Sequence, residues 1–165
     1  MMISTVTKKV FTYIQTINRA LNFNAKRSFY TVLIVLGVIP FLFMAYIGLI
    51  ANFNSKSIMY VLQTNPRLTV LLIIALLDLL STYVMWMIRD SIVANRRQLR
   101  FVMLTVIFQQ LLVANFMVTG FALMAIVMSR ELPTSNNKSA KQFWIISSMA
   151  TIMYMFCLLM AIKVM

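Results

Sequence analysis

Residues 68–88 read LTVLLIIALLDLLSTYVMWMI, an apolar run with one acid, Asp78, at its middle. About twenty apolar residues at ~1.5 Å rise match a hydrocarbon layer of about 30 Å, so the run predicts a transmembrane helix with a carboxyl group near the midplane. Insertion scales put the cost of a central Asp at about 2.5–3.5 kcal/mol, so Asp78 is expected to be protonated, paired, or turned to a wet interior. Ser81, Thr82, Met85 and Arg89 fall near its face of the helix. Arg89 stands about three turns, ~16 Å, further along, too far for a direct pair, so Asp78 needs a partner from another helix.

Working outward, three more apolar runs occupy 29–50, 101–128 and 142–162. With 62% hydrophobic residues, a mean hydropathy of +0.89 and 11% charged residues, the 165-residue chain lies far from a soluble domain, where about 25% of residues are charged. The expected fold is all-α, an integral membrane four-helix bundle over 29–165. An amphipathic interfacial segment over 1–28 precedes it, in which Val6, Val10, Ile14, Ile17 and Leu21 recur at helical spacing among Lys8, Lys9 and Arg19. Pro40 in the first span predicts a kink beside Gly37, and Gly37 and Gly48 share a smooth face suited to close helix approach. The third run extends without charge to Ser129, ~43 Å as a single helix, and is expected to tilt.

Several chemistries are excluded by the residue inventory. The chain has no His, one Cys and three acids (Asp78, Asp90, Glu131), too few for a zinc site, a Ser-His-Asp or Cys-His pair, or a carboxylate-bridged metal pair of its own. Three glycines in separate places make no phosphate loop. No enzyme activity, cofactor or metal is expected. Cys157 lies inside the last run and reads as a small apolar filler.

The net charge of +12 would suit nucleic acid, but the basic residues sit at the ends of apolar runs, where they report membrane orientation and headgroup contact. No nucleic-acid partner is therefore expected. The segment 89–100, RDSIVANRRQLR, carries Arg89, Arg96, Arg97 and Arg100 against Asp90. Together with Lys8, Lys9, Arg19, Lys26 and Arg27 these outnumber Lys56, Arg67, Arg130, Lys138 and Lys141 on the opposite connections. The positive-inside rule then predicts cytoplasmic N- and C-termini in a cell membrane, a bacterial cytoplasmic membrane rather than an organelle membrane.

Asn115 near the middle of the third run, and Thr151 and Tyr154 on a polar stripe of the fourth, match the depth of Asp78 and are the candidate partner- or ion-binding residues with it. Gln109 and Gln110 are placed nearer the cytoplasm. Two functions follow. One is a non-catalytic accessory, regulatory or immunity-type subunit that binds another integral membrane protein, or a second copy, through its helices. The other is a small oligomeric transporter or channel in which Asp78 takes a proton or cation. In both the lipid bilayer is the constant partner.

Overall fold

The computed structural model describes residues 24–134 and 141–164. The amphipathic segment expected over 6–21 lies outside the described residues. The described chain is all α, with seven α-helices: α1 Ala25–Phe53, α2 Ile58–Thr64, α3 Pro66–Met87, α4 Arg89–Ala94, α5 Arg96–Leu112, α6 Phe116–Met128 and α7 Lys141–Val164. A 3-10 turn, Ser129–Glu131, follows α6.

Local chemistry sets the boundaries. Helix α1 runs unbroken through Pro40 and ends where the Asn54 amide donates to the Ile50 carbonyl at 2.8 Å, with Ser55 beyond it at φ 51°. Ser57 caps α2 by accepting from the Tyr60 N–H at 3.2 Å. Pro66 opens α3, a position where its missing N–H costs nothing. Asn95 caps α5 by accepting from the Arg97 N–H at 3.0 Å. The arginine-rich segment expected as a loop is thus mostly helical.

The long apolar helices pack antiparallel in sequence order. The rings of Tyr30 and Trp86 stand 6.5 Å apart edge to face, which brings the start of α1 to the end of α3. A Cβ built on Gly37 would stand 3.4 Å from the Thr82 methyl, so α1 approaches α3 closely there. Gly48 faces open space, so the expected contact face involves Gly37 alone. Helix α7 runs against α3: residues 146–150 lie beside residues 80–85, and residues 153–160 beside residues 66–73.

The third expected span is not one helix. After Leu112 the chain turns through 113–115 and α6 returns alongside α5, so that Arg100 at the start of α5 donates from Nε to the Ser129 hydroxyl just past α6 at 2.8 Å. The Arg96 N–H likewise reaches the Pro133 carbonyl at 3.1 Å. A 43 Å rod is avoided by folding 17-residue and 13-residue helices, ~26 and ~20 Å long, into a hairpin. The turn is built by a Schellman arrangement: Ala114 takes φ 56°, its N–H bonds the Leu111 carbonyl at 3.1 Å, and the Asn115 N–H bonds the Gln110 carbonyl at 2.8 Å. Asn115 then caps α6, accepting from the Val118 N–H at 3.4 Å.

This hairpin changes the connectivity expected of a four-span bundle. Among the described residues three helices, α1, α3 and α7, are long and apolar enough to cross a membrane. The start of α1, the end of α3, α4 and the open end of the hairpin share one end of the bundle, together with the start of α7. The end of α1, α2 and the start of α3 share the other with the end of α7. Ala25 and Val164 therefore lie at opposite ends, so the expectation that both termini share one side does not hold for the described ends. Arg130 and Lys141 move to the end that carries Lys26, Arg27, Arg89, Arg96, Arg97 and Arg100, leaving Lys56, Arg67 and Lys163 opposite.

Packing is tightest toward the basic end. Phe29, Val32 and Leu36 of α1, Met85 of α3, Leu99 and Met103 of α5, and Val118, Ala122 and Ala125 of α6 form one buried cluster. Ala122 and Ala125 are wholly buried, and their small side chains let α6 approach α1 closely, where dispersion contacts accumulate. The outer surface is apolar as well: Ile34, Phe41, Leu42, Ile152 and Leu159 are each at least 60% exposed. Such a belt suits acyl chains as solvent.

Candidate functional site

At the meeting of α3, α5 and α7 the chain buries a polar cluster. Asp78, halfway along α3, is 3% exposed and faces inward because the neighbouring positions Ala75, Leu77 and Met85 of its helix are also buried. Tyr154 of α7, wholly buried, donates its hydroxyl to Asp78 Oδ1 at 2.5 Å. Gln110 of α5, 1% exposed, donates Nε2 to the same oxygen at 2.6 Å. The remaining polar end of Gln110, Oε1, accepts from Asn115 Nδ2 at 2.7 Å. One chain of hydrogen bonds thus runs Tyr154, Asp78, Gln110, Asn115, tying two long helices to the tip of the hairpin.

The chain has a clear physical use. Buried backbone that leaves the helical pattern is tolerated only where protein or water satisfies it. Residues 113–115 leave that pattern level with the middle of α3. Their turn is closed by the capping bonds described above, and Gln110 and Asn115 fasten it to the Asp78 carboxyl. Leu112 and Val113 beside it pack on Val70, Leu77, Tyr154 and Cys157. Thr82 bonds the Asp78 carbonyl at 2.9 Å, within its own helix.

A second, separate set of bonds joins α5 to α7. Gln109 donates Nε2 to the Thr151 hydroxyl at 3.0 Å, and to the Ser147 carbonyl at 3.4 Å, while Thr151 donates to that same carbonyl at 2.8 Å. Beside these groups a cavity of about 20 Å³ opens between α3, α5 and α7, next to Ser81, Gln109 and Ser147. That is room for a single water.

Of the four residues expected together, Asp78 and Tyr154 touch. Asn115 is one residue removed, and Thr151 belongs to the neighbouring set with Gln109. One tilted rod over 101–128 puts Gln110 nearer the basic end than Asp78. In the hairpin, α5 runs antiparallel to α3, and Gln110 arrives level with Asp78. The available signal is a run too long for one crossing with Gln110 and Asn115 near its middle, Asn being a preferred helix-starting residue. The basic residues lie elsewhere. Arg89 stacks over the Trp86 ring at 4.3 Å and stands 3.6 Å from Asp90, while Arg96 and Arg97 open α5 and Arg100 follows one turn on.

The chain matches no family model, no curated protein and no solved structure. Fold and site therefore define the class on their own: among the described residues the chain is all α, with three helices long and apolar enough to cross a membrane, and it buries a hydrogen-bonded carboxyl group where two of them, α3 and α7, meet α5.

Proposed function

We propose that this is a non-catalytic multi-pass membrane protein acting as an accessory, regulatory or immunity-type subunit, docked on another integral membrane protein through its outward helix faces. The observation that carries the reading is the closed hydrogen bonding of the interior: Asp78 accepts from Tyr154 and Gln110 of its own chain. A carboxyl group so engaged serves to hold the bundle, and the part of the molecule left to meet a partner is its surface. On α7 the outward residues Ile145, Met149, Ile152, Phe156 and Leu159, 59–66% exposed, recur at alternating intervals of four and three. That is the spacing by which two helices interlock along a seam.

The basic end is assigned to the cytoplasm. Eight described basic positions gather there against three at the other end, and the positive-inside rule gives the hairpin a re-entrant course from the cytoplasmic face. A second reading, a small oligomeric transporter or channel, draws on the water-sized cavity one turn from Asp78. It needs the hairpin to move and open that cavity to one side.

Quantitative identification of membrane proteins that copurify in mild detergent separates the two. The subunit reading expects a stoichiometric partner that is retained by Asp78→Asn and lost on joint Ile152→Ala and Phe156→Ala substitution. A chain that is always recovered alone, and whose reconstituted vesicles show a proton or cation flux abolished by Asp78→Asn, overturns it.

A further inference from the structure

At the end of the bundle away from the arginines, the end of α1, the short α2 and the start of α3 enclose an open cleft of about 300 Å³. That volume falls at the lower edge of what small-ligand pockets occupy, about 300–1,000 Å³. The less exposed residues of its lining, Ile50, Val61 and Leu68, are apolar, while the exposed ones carry polar groups: Tyr46, Lys56, Tyr60 and Asn65. Local bonds fix this arrangement in advance. The Lys56 N–H donates to the Ala51 carbonyl at 3.0 Å and the Asn54 side chain holds the Ile50 carbonyl at 2.8 Å, so the turn that carries Lys56 is closed on the end of α1. Lys56 Nζ stands 4.3 Å over the Tyr60 ring, a contact that steadies the ammonium group and leaves its three N–H donors unspent. Asn65, between α2 and α3, makes no side-chain capping bond, so its amide can turn to a ligand. The chain has three acids, and all are elsewhere: Asp78 is buried midway along α3, Asp90 stands by Arg89, and Glu131 lies in the turn after α6. Among the described residues Lys56 forms no ion pair.

We propose that this cleft binds the headgroup of an anionic phospholipid, with Lys56 and Asn65 donating to phosphate oxygens and the first acyl carbons lying against Ile50, Val61 and Leu68. An ammonium group is a standard phosphate donor, and a bond to an ionised acceptor is about twice as strong as a neutral one. The level is right for it: the cleft falls where two apolar helices end in polar sequence, and tyrosines such as Tyr46 and Tyr60, apolar in the ring and polar at the tip, belong at the headgroup boundary. The cleft also selects against zwitterionic lipid. It offers no carboxylate to a choline or ethanolamine cation, and Lys56 already covers the Tyr60 face on which choline would sit. The site rests on the membrane reading and not on the subunit reading: a chain that binds the lipid yet is recovered without a protein partner upholds the one and defeats the other.

Native mass spectrometry of the full chain, released from micelles doped with phosphatidylglycerol or with phosphatidylcholine, tests it. The wild-type chain is expected to retain one phosphatidylglycerol about fivefold more tightly than phosphatidylcholine, the size of a single ion pair at a membrane surface. Lys56→Gln, at an exposed position outside the core, removes that preference. Lys56→Arg keeps it, and Arg97→Gln at the other end of the bundle leaves it unchanged. Equal retention of the two lipids by the wild-type chain overturns the proposal without need of any variant, and so does a preference that survives Lys56→Gln. An equal loss in Arg97→Gln overturns it too, since net charge and not the cleft would then hold the lipid. Displacement of the lipid by millimolar glycerol phosphate, which has the head without the tails, also counts against it, because the cleft would then serve a free anion.

Discussion

Replacing Gln110 by Leu tests whether the Asp78 carboxyl holds the hairpin tip. Leu keeps most of the volume of this 1%-exposed side chain but removes two hydrogen bonds at once, Gln110 Nε2 to Asp78 at 2.6 Å and Asn115 Nδ2 to Gln110 at 2.7 Å. Hydrogen bonds between helices in membrane proteins are worth about 0.6 kcal/mol on average and up to about 1.7, so the pair amounts to about 1–3 kcal/mol. That corresponds to a five- to 150-fold rise in the population of an opened tip. Asp78 retains Tyr154, so the long helices stay together and the loss is local. Hydrogen exchange followed by mass spectrometry over residues 113–119 in micelles is the assay. Gln109→Leu is the control, because Gln109 bonds α7 rather than the tip. Faster exchange confined to 113–119 in Gln110→Leu is the expected result. If Gln109→Leu loosens the tip as much, or neither variant does, the polar chain is not what secures the turn.

Tyr154→Phe removes one donor from Asp78 and should cost about 1 kcal/mol of unfolding free energy in detergent titrations. Combined with Asp78→Asn, the two losses should be less than additive by roughly 0.5 kcal/mol or more, since they share one bond; strict additivity would mean that the contact carries no energy. Ala114→Gly should stabilise the protein by about 0.5–1 kcal/mol, because Ala at φ 56° bears a steric cost that glycine escapes; a loss of stability would count against the left-handed turn. In a Cys157→Ala background, cysteines at 97 and 130 should react with an impermeant reagent from one side of the membrane, and cysteines at 56 and 163 from the other. Labelling of 130 and 56 from a common side would restore a third crossing and refute the hairpin.

Much of this architecture is legible in the amino-acid order. The apolar runs that become α1, α3 and α7 are long enough to match a bilayer, and a run's hydrophobicity is a property of the residues in it, whatever they pack against. The need of Asp78 for a partner outside its own helix is equally local: helical geometry puts Arg89 out of reach, and a buried polar group must be matched. The depth of Tyr154 follows from counting residues along its run.

What the run 101–128 does is decided elsewhere. Its residues are uniformly compatible with a tilted span or with a hairpin, because Ala114 and Asn115 break a helix only weakly and nothing within the run says which is less costly. The choice falls to contacts distant in sequence: Ala122 and Ala125 close against α1, Arg100 meets Ser129, and the turn lets Asn115 bond the Gln110 that holds Asp78. With that turn go the relative positions of the two ends, the gathering of Arg96, Arg100 and Arg130 at one end, and the replacement of Asn115 by Gln110 as direct partner of the acid. Hydrophobic length is a one-dimensional quantity that composition sets. The direction a chain takes after a weak helix end is set by which surfaces it then satisfies, and those surfaces exist only in the folded molecule.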